Sequence, residues 1–382
     1  MLIQNGRVFT EKFIFENADM RLQDGRIRQV SREPLLPEPG EQTLDAGGLL
    51  VIPGLVDIHF HGCAGHDFSD AGEDGLFAIA AYENSIGVTS ICPATMTLPE
   101  ERLSEIVRGA AAHKRKKGEA ALVGIHLEGP YISPEKVGAQ NPDYVQTISA
   151  EAVSCLLADS RGLLKLMTVA PEQPGVPEVI REFHDRICFS VGHTNASYED
   201  AERAFSLGAR HMTHLFNAMP PLHHRMPGPI AAGAEHPDVM AEIITDGIHV
   251  APAMIRFAFR LFGPERMILI SDSCRACGMP DGRYELGGQE VIKRSGAAWL
   301  PAGNLAASAC DLFEMMRRAV SFGIPLEDAV RAATANPADS IGEGASCGRI
   351  AEGLAGRVLL VTPELSLVRV VDDSDGCGPV SR

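Results

Sequence analysis

Residues 53–62 read PGLVDIHFHG and open a regular alternation of apolar runs and helix-like stretches that continues through most of the chain. The run over residues 54–61 has the composition of a buried strand and ends in His59-Phe60-His61. Side chains two apart on a strand point to the same side, so the two imidazoles can face one point. The first strand of the predicted sheet therefore ends in two convergent side chains of a metal-binding type.

Eight strand candidates follow one another from this point. They cover residues 54–61, 88–94, 121–128, 164–170, 187–193, 211–217, 239–244 and 266–271. Helical patterns separate them over residues 76–85, 100–116, 150–158, 176–186, 198–207 and 252–262, and helical runs at 306–322 and 326–335 follow the last strand. Prolines between residues 220 and 229 weaken the pattern at the sixth helix. The alternation predicts an α/β fold of the (β/α)8 TIM-type barrel, with a doubly wound open sheet as the alternative.

Both ends of the chain have strand patterns. Short strand-like runs and the turn signals Asn5-Gly6 and Asp24-Gly25 occupy the first 50 residues, and strand character returns over residues 356–361 and 365–371. Since chain termini often lie close together, the two ends predict one small β-sandwich domain. The predicted domains are residues 1–52 plus 346–382 for the sandwich and residues 53–345 for the barrel.

The composition limits the classes of function. The 382-residue chain has 45% hydrophobic and 22% charged residues, which is typical of a globular protein and excludes a largely disordered one. Its formal net charge of −16 argues against non-specific binding to nucleic acid or to an anionic membrane. We expect no transmembrane helix, because no apolar run is long enough to span a bilayer. An anionic substrate would need a local cationic pocket.

The cysteines predict a reducing compartment. Nine of them are scattered along the chain, and its start lacks a basic segment followed by an apolar core. This pattern favours reduced thiols and a cytoplasmic protein over a disulfide framework. The CxxC at residues 274–277 has no second pair of ligands in the sequence, so we interpret its thiols as inert.

Six histidine and acidic side chains fall at the ends of predicted strands. They are His59, His61, Glu128, His193, His214 and Asp272. In a parallel barrel the C-terminal ends of all strands open on one face, so these residues should converge although they are far apart in sequence. A single barrel histidine is more often a hydrogen-bonded core residue, but six suitable residues on one face favour a metal site. Four imidazoles and a carboxylate suit a divalent transition ion, zinc first and iron as the alternative, and a further carboxylate remains to act as a base.

Two loops are candidates for substrate binding. Residues 222–228 (LHHRMPG) follow the sixth strand and place Arg225 near the mouth of the barrel, where a guanidinium can bind a phosphate or carboxylate. Residues 246–249 (DGIH) follow the seventh strand, and for both loops a plain solvated loop is the alternative. The sequence contains no Walker loop or dinucleotide fingerprint, so we do not expect a nucleotide-cofactor enzyme.

The motifs together resemble those of a known family. Residues 53–62 look like the opening metal motif of the amidohydrolase superfamily. Further motifs are similar to those of the N-acetylglucosamine-6-phosphate deacetylase family, at residues 126–130 (HLEGP), 192–196 (GHTNA), 213–219 (THLFNAM), 246–250 (DGIHV) and 281–288 (DGRYELGG). The resemblance covers nearly the whole chain. It implies the hydrolysis of an acetamide on N-acetyl-D-glucosamine 6-phosphate, with release of acetate, by a homodimer that completes its phosphate pocket across the interface.

The resemblance also implies a role for each motif residue. It implies a main metal position at Glu128, His193 and His214, and a second position completed by His59 and His61. One or two ions can therefore be held. Asp272 would be the general acid and base. The sugar phosphate would be bound by Asn217, Ala218, Arg225 and His249.

The chain departs from the family pattern at two places in the substrate region. Gln140 stands where the family usually has a histidine that touches substrate, so Gln140 is our candidate for that contact. Ala307 stands where the family usually has glycine, and its methyl group could crowd the pocket or alter the backbone.

Three alternative functions stay open. The first is the same reaction on N-acetylgalactosamine 6-phosphate, which Gln140 keeps in consideration. The second is a different hydrolase of the superfamily, such as a cyclic-amide hydrolase or a deaminase, which Arg225 and the bridging Glu128 disfavour. The third is a non-catalytic sugar-phosphate sensor, which would not need Asp272.

Overall fold

The computed structural model describes residues 1–70 and 72–372. Its strands, numbered along the chain, are β1 (Leu2–Phe9), β2 (Phe15–Gln23), β3 (Arg26–Ser31), β4 (Thr43–Asp45), β5 (Leu50–Pro53), β6 (Leu55–Asp57), β7 (Gly62–Cys63), β8 (His66–Asp67), β9 (Val88–Ile91), β10 (Ala94–Thr95), β11 (Ala121–Leu122), β12 (Ile125–Glu128), β13 (Leu164–Val169), β14 (Cys188–Val191), β15 (His211–Met212), β16 (Met240–Ile244), β17 (Met267–Ile270), β18 (Gly282–Leu286), β19 (Gln289–Arg294), β20 (Ala297–Trp299), β21 (Leu305–Ser308), β22 (Arg357–Val361) and β23 (Leu367–Asp372).

The helices are α1 (Glu73–Ser85), α2 (Glu100–Ala112), α3 (Ala150–Ser160), α4 (Val176–Phe183), α5 (Tyr198–Leu207), α6 (Gly228–Glu235), α7 (Pro252–Phe262), α8 (Leu312–Ser321), α9 (Leu326–Ala333) and α10 (Ala335–Ser340), with a 3-10 turn at Pro142–Tyr144. Within the described ranges, no helix is both long and apolar enough to cross a bilayer.

Parallel strands form a curled sheet in the order β10-β12-β13-β14-β15-β16-β17, and a smaller parallel sheet has the order β11-β9-β6. β9 and β10 are two parts of one strand. Pro93 interrupts this strand because proline has no backbone N–H to donate. The backbone bonds on either side bridge this interruption, from Cys92 N–H to Asp57 O at 2.8 Å and from Ala94 N–H to Phe60 O at 2.7 Å. The two sheets are therefore continuous at β9 and β10.

The two ends of this strand series approach each other beyond β6 and β17. The backbone N–H of Asp272 donates to His59 O at 2.9 Å, and that of His61 donates to Ser273 O at 2.7 Å. The segments that follow the first and the last barrel strand thus lie side by side. This arrangement of curled parallel strands and flanking helices is that of a TIM-like barrel, as the alternation in the sequence predicts.

The barrel strands are apolar on both faces, as expected for parallel strands that are covered by helices. β17 reads MILI, and all of its residues are buried. α7 buries Ile255, Ala258, Phe259 and Phe262, the spacing of one face of a helix, in the same hydrophobic core. Each large apolar side chain buried in this way contributes about 1.5–3 kcal/mol, which fixes the helix against the strands.

Most helices lie close to their predicted positions. α5 and α7 have the predicted bounds, and α2 ends at Ala112 rather than at residue 116. The weakly predicted sixth helix is α6, which begins at Gly228 with Pro229 in its first turn. Proline is tolerated there because the first N–H groups of a helix have no partner within it. The prolines therefore precede or begin the helix and do not break it.

Residues 306–322 are not a single helix, so this prediction is wrong over its first residues. Leu305–Ser308 form β21, the last strand of an antiparallel sheet with the order β18-β19-β20-β21. α8 begins only at Leu312, and the side chain of its N-cap Asp311 accepts a hydrogen bond from Glu314 N–H at 2.8 Å. These residues form a strand and not a helix because pairing with β20 supplies the backbone hydrogen bonds of β21.

The two chain ends meet in one mixed sheet. Its order is β23-β22-β5-β1-β2-β3, with β4 also paired to β1. β22 runs antiparallel to β5, with Val358 opposite Pro53 and Val361 opposite Leu50. The sheet has a hydrophobic cluster of its own, which includes Met20. Of the predicted sandwich domain, residues 373–382 lie outside the described residues, and the domain boundaries stay a prediction.

Candidate active site

The six predicted site residues all lie just beyond or at the C-terminal ends of barrel strands. His59 and His61 follow β6, and Glu128 is the last residue of β12. His193, His214 and Asp272 lie two residues beyond the ends of β14, β15 and β17, respectively. The structure therefore brings these side chains to one face of the barrel, as the sequence predicts.

Four imidazoles converge on the carboxylate of Glu128, which is 2% exposed. Glu128 Oε1 lies 3.2 Å from His59 Nε2, 3.2 Å from His193 Nε2 and 3.1 Å from His214 Nε2. The other oxygen, Oε2, lies 3.2 Å from His61 Nε2. Glu128 is thus the common neighbour of all four imidazoles, with three of them at Oε1 and His61 at Oε2.

Asp272 lies at the open side of this cluster. Its Oδ1 is 3.5 Å from His61 Nε2 and 3.7 Å from His59 Nε2. Its side chain is more exposed than those of the two histidines. A carboxylate in this position can reach both the histidine cluster and a molecule that enters from the barrel mouth.

The buried charges stabilise one another. Burial would raise the pKa of Glu128, but the imidazoles of His59 and His193 hold it well below its usual range. Burial would lower the pKa of His59, but Glu242 and Glu128 hold it well above its usual range. In the metal-free protein these interactions therefore favour an ionised Glu128 beside a positively charged His59.

Three of the six predicted catalytic and metal-binding residues have a left-handed backbone. The φ angles are 45° for His193, 27° for His214 and 46° for Asp272. Such conformations cost about 1–3 kcal/mol for residues other than glycine, and they cluster at functional sites. Tertiary hydrogen bonds hold two of them, from His214 N–H to Glu242 Oε2 at 3.1 Å and from Asp272 N–H to His59 O at 2.9 Å.

The donor set fits a transition ion. Among the described residues, three groups have ligand atoms close enough to share one ion. Two of them consist of predicted site residues, namely His59, His61 and Glu128, and Glu128, His193 and His214, and the third is His59, His126 and Glu242. His59 Nε2 is buried and makes no hydrogen bond of acceptable geometry to the described residues, although Glu128 lies close by. An imidazole nitrogen left unpartnered among nitrogen and carboxylate donors is the environment that zinc or iron prefers.

A cavity of about 140 Å³ opens above the cluster. Its floor contains the predicted site residues His61, Glu128, His193, His214 and Asp272. Its wall contains the predicted substrate residues Gln140, Asn217, Ala218 and His249. Arg225 is exposed and does not line the cavity, so the structure of this one chain does not bring it to the other substrate residues.

Gln140 and His249 each have a defined partner. Gln140 Nε2 donates to Glu128 Oε2, and its Oε1 accepts from the backbone N–H of Thr97 at 2.7 Å. His249 Nδ1 donates to Asp246 Oδ2 at 2.6 Å. Ala307 is fully buried in β21, next to the cavity-lining Ala306. These contacts orient polar groups around the cavity.

Sequence reasoning missed two contributions to the site. The first is Glu242 in β16, whose Oε2 accepts a hydrogen bond from His59 Nδ1 at 2.8 Å. Its signal in the sequence is an acid inside the otherwise apolar stretch MAEII. The second is the β18–β21 sheet, which contributes Leu286 and Leu305 to the cavity wall.

The profile of the amidohydrolase family matches residues 50–371 of the chain. The chain therefore belongs to the amidohydrolase family. It is 35% identical to the N-acetylglucosamine-6-phosphate deacetylase of Bacillus subtilis (strain 168) over 378 residues, which are 97% of this chain and 95% of that protein. It is 31% identical to the N-acetylgalactosamine-6-phosphate deacetylase of Escherichia coli O157:H7, over 95% of this chain and 96% of that protein.

A solved structure is similar over the same length. It is a mutant of N-acetyl-D-glucosamine-6-phosphate deacetylase from Mycobacterium smegmatis in complex with N-acetyl-D-glucosamine-6-phosphate. The TM-score is 0.90 with 31% sequence identity, and the match covers 97% of each chain. The relatives thus agree with this chain in length and fold.

Proposed function

We propose that this protein is a metal-dependent hydrolase that removes the acetyl group from N-acetyl-D-glucosamine 6-phosphate and releases glucosamine 6-phosphate and acetate. The observation that carries the proposal is the convergence of four imidazoles on Glu128, with Asp272 Oδ1 3.5 Å from His61 Nε2 at the open side. The names of relatives that match nearly the whole chain support the choice of substrate.

We assign the ligands by proximity. Glu128, His193 and His214 hold one ion, and His59 and His61 complete a second position with Glu128. The protein holds one or two divalent ions, zinc first and iron as the alternative. When bound, such an ion lowers the pKa of a water molecule to about 7 and polarises the amide carbonyl.

Asp272 acts on the proton in both halves of the reaction. It accepts a proton from the attacking water as the new C–O bond forms at the acetyl carbon. It then donates that proton to the nitrogen as the C–N bond breaks, because an unprotonated amine is a poor leaving group. The second proton of the water leaves the new carboxyl group and passes to the amine, so the products are acetate and the amine in its ammonium form, and Asp272 is ionised again.

The wall residues bind the sugar phosphate. Asn217, Ala218 and His249 face the cavity, and Gln140 presents its amide beside Glu128. Arg225 binds the phosphate from the loop at residues 222–228, and the pocket is completed across the interface of a homodimer. The exposure of Arg225 supports this dimer, since a loop outside the cavity of one chain is accessible to a second chain.

The finer architecture belongs to the same proposal. Residues 53–345 form a closed (β/α)8 barrel, supported by the backbone bonds between the segments after β6 and β17. Residues 1–52 plus 346–382 form a β-sandwich domain, supported by the separate hydrophobic cluster of the chain-end sheet.

We place the protein in the cytoplasm because its nine scattered cysteines are typical of a reducing compartment. Neither nucleic acid nor membrane is a partner of so acidic a chain.

The decisive experiment couples metal analysis to acetate release. The substrate panel contains N-acetylglucosamine and N-acetylgalactosamine, each with and without the 6-phosphate, and ammonia is measured in parallel. We expect acetate release from N-acetylglucosamine 6-phosphate that depends on bound metal and falls sharply without the phosphate. Ammonia without acetate would indicate a deaminase, and binding without turnover in metal-loaded protein would indicate a sensor.

The same panel decides the preference for the sugar. Gln140 lies at the cavity beside Glu128, and the chain is also similar to an N-acetylgalactosamine-6-phosphate deacetylase. A higher kcat/KM for the galacto substrate would assign the same chemistry to the other sugar. Both outcomes preserve the metal centre and the role of Asp272.

A further inference from the structure

Glu242 is a fully buried acid in the middle of the parallel strand β16. A charged carboxylate in such a place is costly unless hydrogen bonds and opposite charges compensate for the lost hydration. Its neighbours in β16 are apolar, so the compensation has to come from other strands. The contacts of its two oxygens therefore show what the acid does.

Both hydrogen bonds of the Glu242 side chain go to predicted metal ligands. Its Oε2 accepts from His59 Nδ1 at 2.8 Å and from the backbone N–H of His214 at 3.1 Å. The other oxygen, Oε1, lies 3.8 Å from His211 Nδ1 and has no hydrogen-bond partner among the described residues. One carboxylate thus connects β16 with the ends of β6 and β15.

The bond to Nδ1 decides which nitrogen of His59 faces the site. When Nδ1 carries the hydrogen that Glu242 accepts, the lone pair of the imidazole is on Nε2. Nε2 is the nitrogen that lies 3.2 Å from Glu128 Oε1 and 3.7 Å from Asp272 Oδ1. Carboxylates that accept from the second nitrogen of a metal-binding histidine fix its tautomer and its ring orientation.

We propose that Glu242 is a positioning residue that holds His59 and the backbone of His214 in the geometry required for metal binding. This inference rests on the proposed metal centre. Glu242 acts from the side of the barrel interior, away from the cavity, so it contacts neither the substrate nor the reacting atoms. Glu242 mainly affects the metal position that His59 completes, since the Glu242 side chain contacts the His59 imidazole directly.

A competing interpretation is that Glu242 itself binds an ion. Its ligand atoms lie close to those of His59 and His126, and all three residues are fully buried. His126 Nε2 bonds to Thr168 Oγ1 at 2.8 Å, and His59 Nδ1 is engaged with Glu242 Oε2. On the side away from Glu128, only His126 Nδ1 and Glu242 Oε1 in this group are left without a hydrogen bond to the described residues, and two atoms are fewer than the four ligands that zinc usually takes. The observed contacts therefore favour positioning, and the metal stoichiometry distinguishes the two interpretations.

The test compares Glu242→Ala and Glu242→Gln with the parent protein. Zinc is the probe, and affinity and stoichiometry are measured by titration against a chromophoric chelator and by elemental analysis. We expect one or two ions in the parent, and in Glu242→Ala a loss of about 10- to 100-fold in the affinity of the most weakly bound ion. Glu242→Gln keeps an acceptor for the His59 Nδ1–H. Its zinc affinity should therefore lie between those of the parent and Glu242→Ala.

Ser190→Ala is the matched control. Ser190 is buried at the same depth, and its Oγ contacts His211 and Thr213 but no predicted ligand. Its zinc affinity should equal that of the parent. Unchanged zinc binding in Glu242→Ala would overturn the proposal, and about three ions in the parent, one of them lost in Glu242→Ala, would make Glu242 a ligand.

A second measurement uses only the parent protein, so it does not depend on whether a variant folds. In zinc-loaded parent protein labelled with 15N-histidine, NMR reports the protonation of each ring nitrogen of His59. We expect a hydrogen on Nδ1 and the metal on Nε2. Metal on Nδ1 would overturn the inference, whereas a parent that binds no zinc at all would contradict the proposed function itself.

Discussion

The side-chain amide of Gln140 joins Glu128, at the end of β12, to the backbone of Thr97, just beyond β10. Its Nε2 donates to Glu128 Oε2, and its Oε1 accepts from Thr97 N–H at 2.7 Å. Gln140 is 3% exposed, so water cannot easily replace either bond. The glutamine that departs from the family pattern therefore holds the central carboxylate of the proposed metal centre.

Gln140→Ala should destabilise the protein. The change leaves the Thr97 N–H without its partner in a buried site and removes one bond from Glu128, which costs about 1–3 kcal/mol. Urea unfolding of the metal-free protein measures the loss. Gln146→Ala is the control, because the side chain of Gln146 makes only long bonds, at 3.3 Å, to backbone oxygens. An equal effect in both variants would contradict the structural role of Gln140.

Asp272→Asn should abolish turnover while zinc binding persists. Asparagine can neither accept the proton of the attacking water nor return it to the amine, so kcat should fall by roughly a thousandfold or more. Acetate release measures kcat, and a chelator titration measures zinc affinity. Asp281→Asn, at an exposed position, should retain full activity. Near-normal turnover in Asp272→Asn would remove this residue from the mechanism.

Arg225→Ala should weaken the binding of phosphorylated substrate alone. Hydrogen bonds to a charged group contribute about 1.5–3 kcal/mol, so KM should rise by about 10- to 100-fold. KM for the unphosphorylated sugar should not change. Arg283→Ala is a suitable control, since Arg283 is also exposed but lies on the β18–β21 sheet. A similar rise in KM for both sugars would exclude a specific phosphate contact.

The pair of His249 and Asp246 predicts a pH dependence of stability. Burial would lower the pKa of His249, but its hydrogen bond to Asp246 raises that pKa above the usual value. The folded protein therefore binds this proton more tightly than the unfolded one. The stabilisation is complete below the unfolded-state pKa of about 6.5 and is lost as the pH rises through the folded-state pKa.

His249→Gln should therefore lower the free energy of unfolding more at about pH 6 than at about pH 9. Urea unfolding of the metal-free protein at both pH values measures the difference from the parent. His224→Gln provides the control, because His224 is exposed on the loop next to Arg225. A loss of the same size at both pH values would show that the charged pair does not contribute.

The helices and barrel strands could be predicted because their signals are local. The bounds of α5 follow from its apolar spacing and from a capping box, in which Ser197 and Asp200 satisfy each other's backbone N–H groups. The all-apolar β17 is typical of a strand covered on both faces. Each of these features depends on residues within a few positions of one another, so it can be predicted from the sequence alone.

The β18–β21 sheet could not be predicted in the same way. Its strands are short and partly exposed, and their hydrogen bonds come from pairing between strands. Residues 306–308 have a helix-like composition, yet they pair with β20 as a strand. The packing of this sheet over the barrel mouth places Leu286 and Leu305 in the cavity wall, a long-range contact that no local pattern specifies.

The sequence by itself determined the alternation of strands and helices and the positions of six chemically suited residues at strand ends, because side-chain periodicity and turn chemistry act over a few residues. Only the tertiary structure decided that Glu242 bonds to His59 across 183 positions, that Gln140 holds Glu128, and that Arg225 lies outside the cavity. The physical reason is that hydrogen bonds and burial depend on distances of a few ångströms, which the packing of the barrel sets.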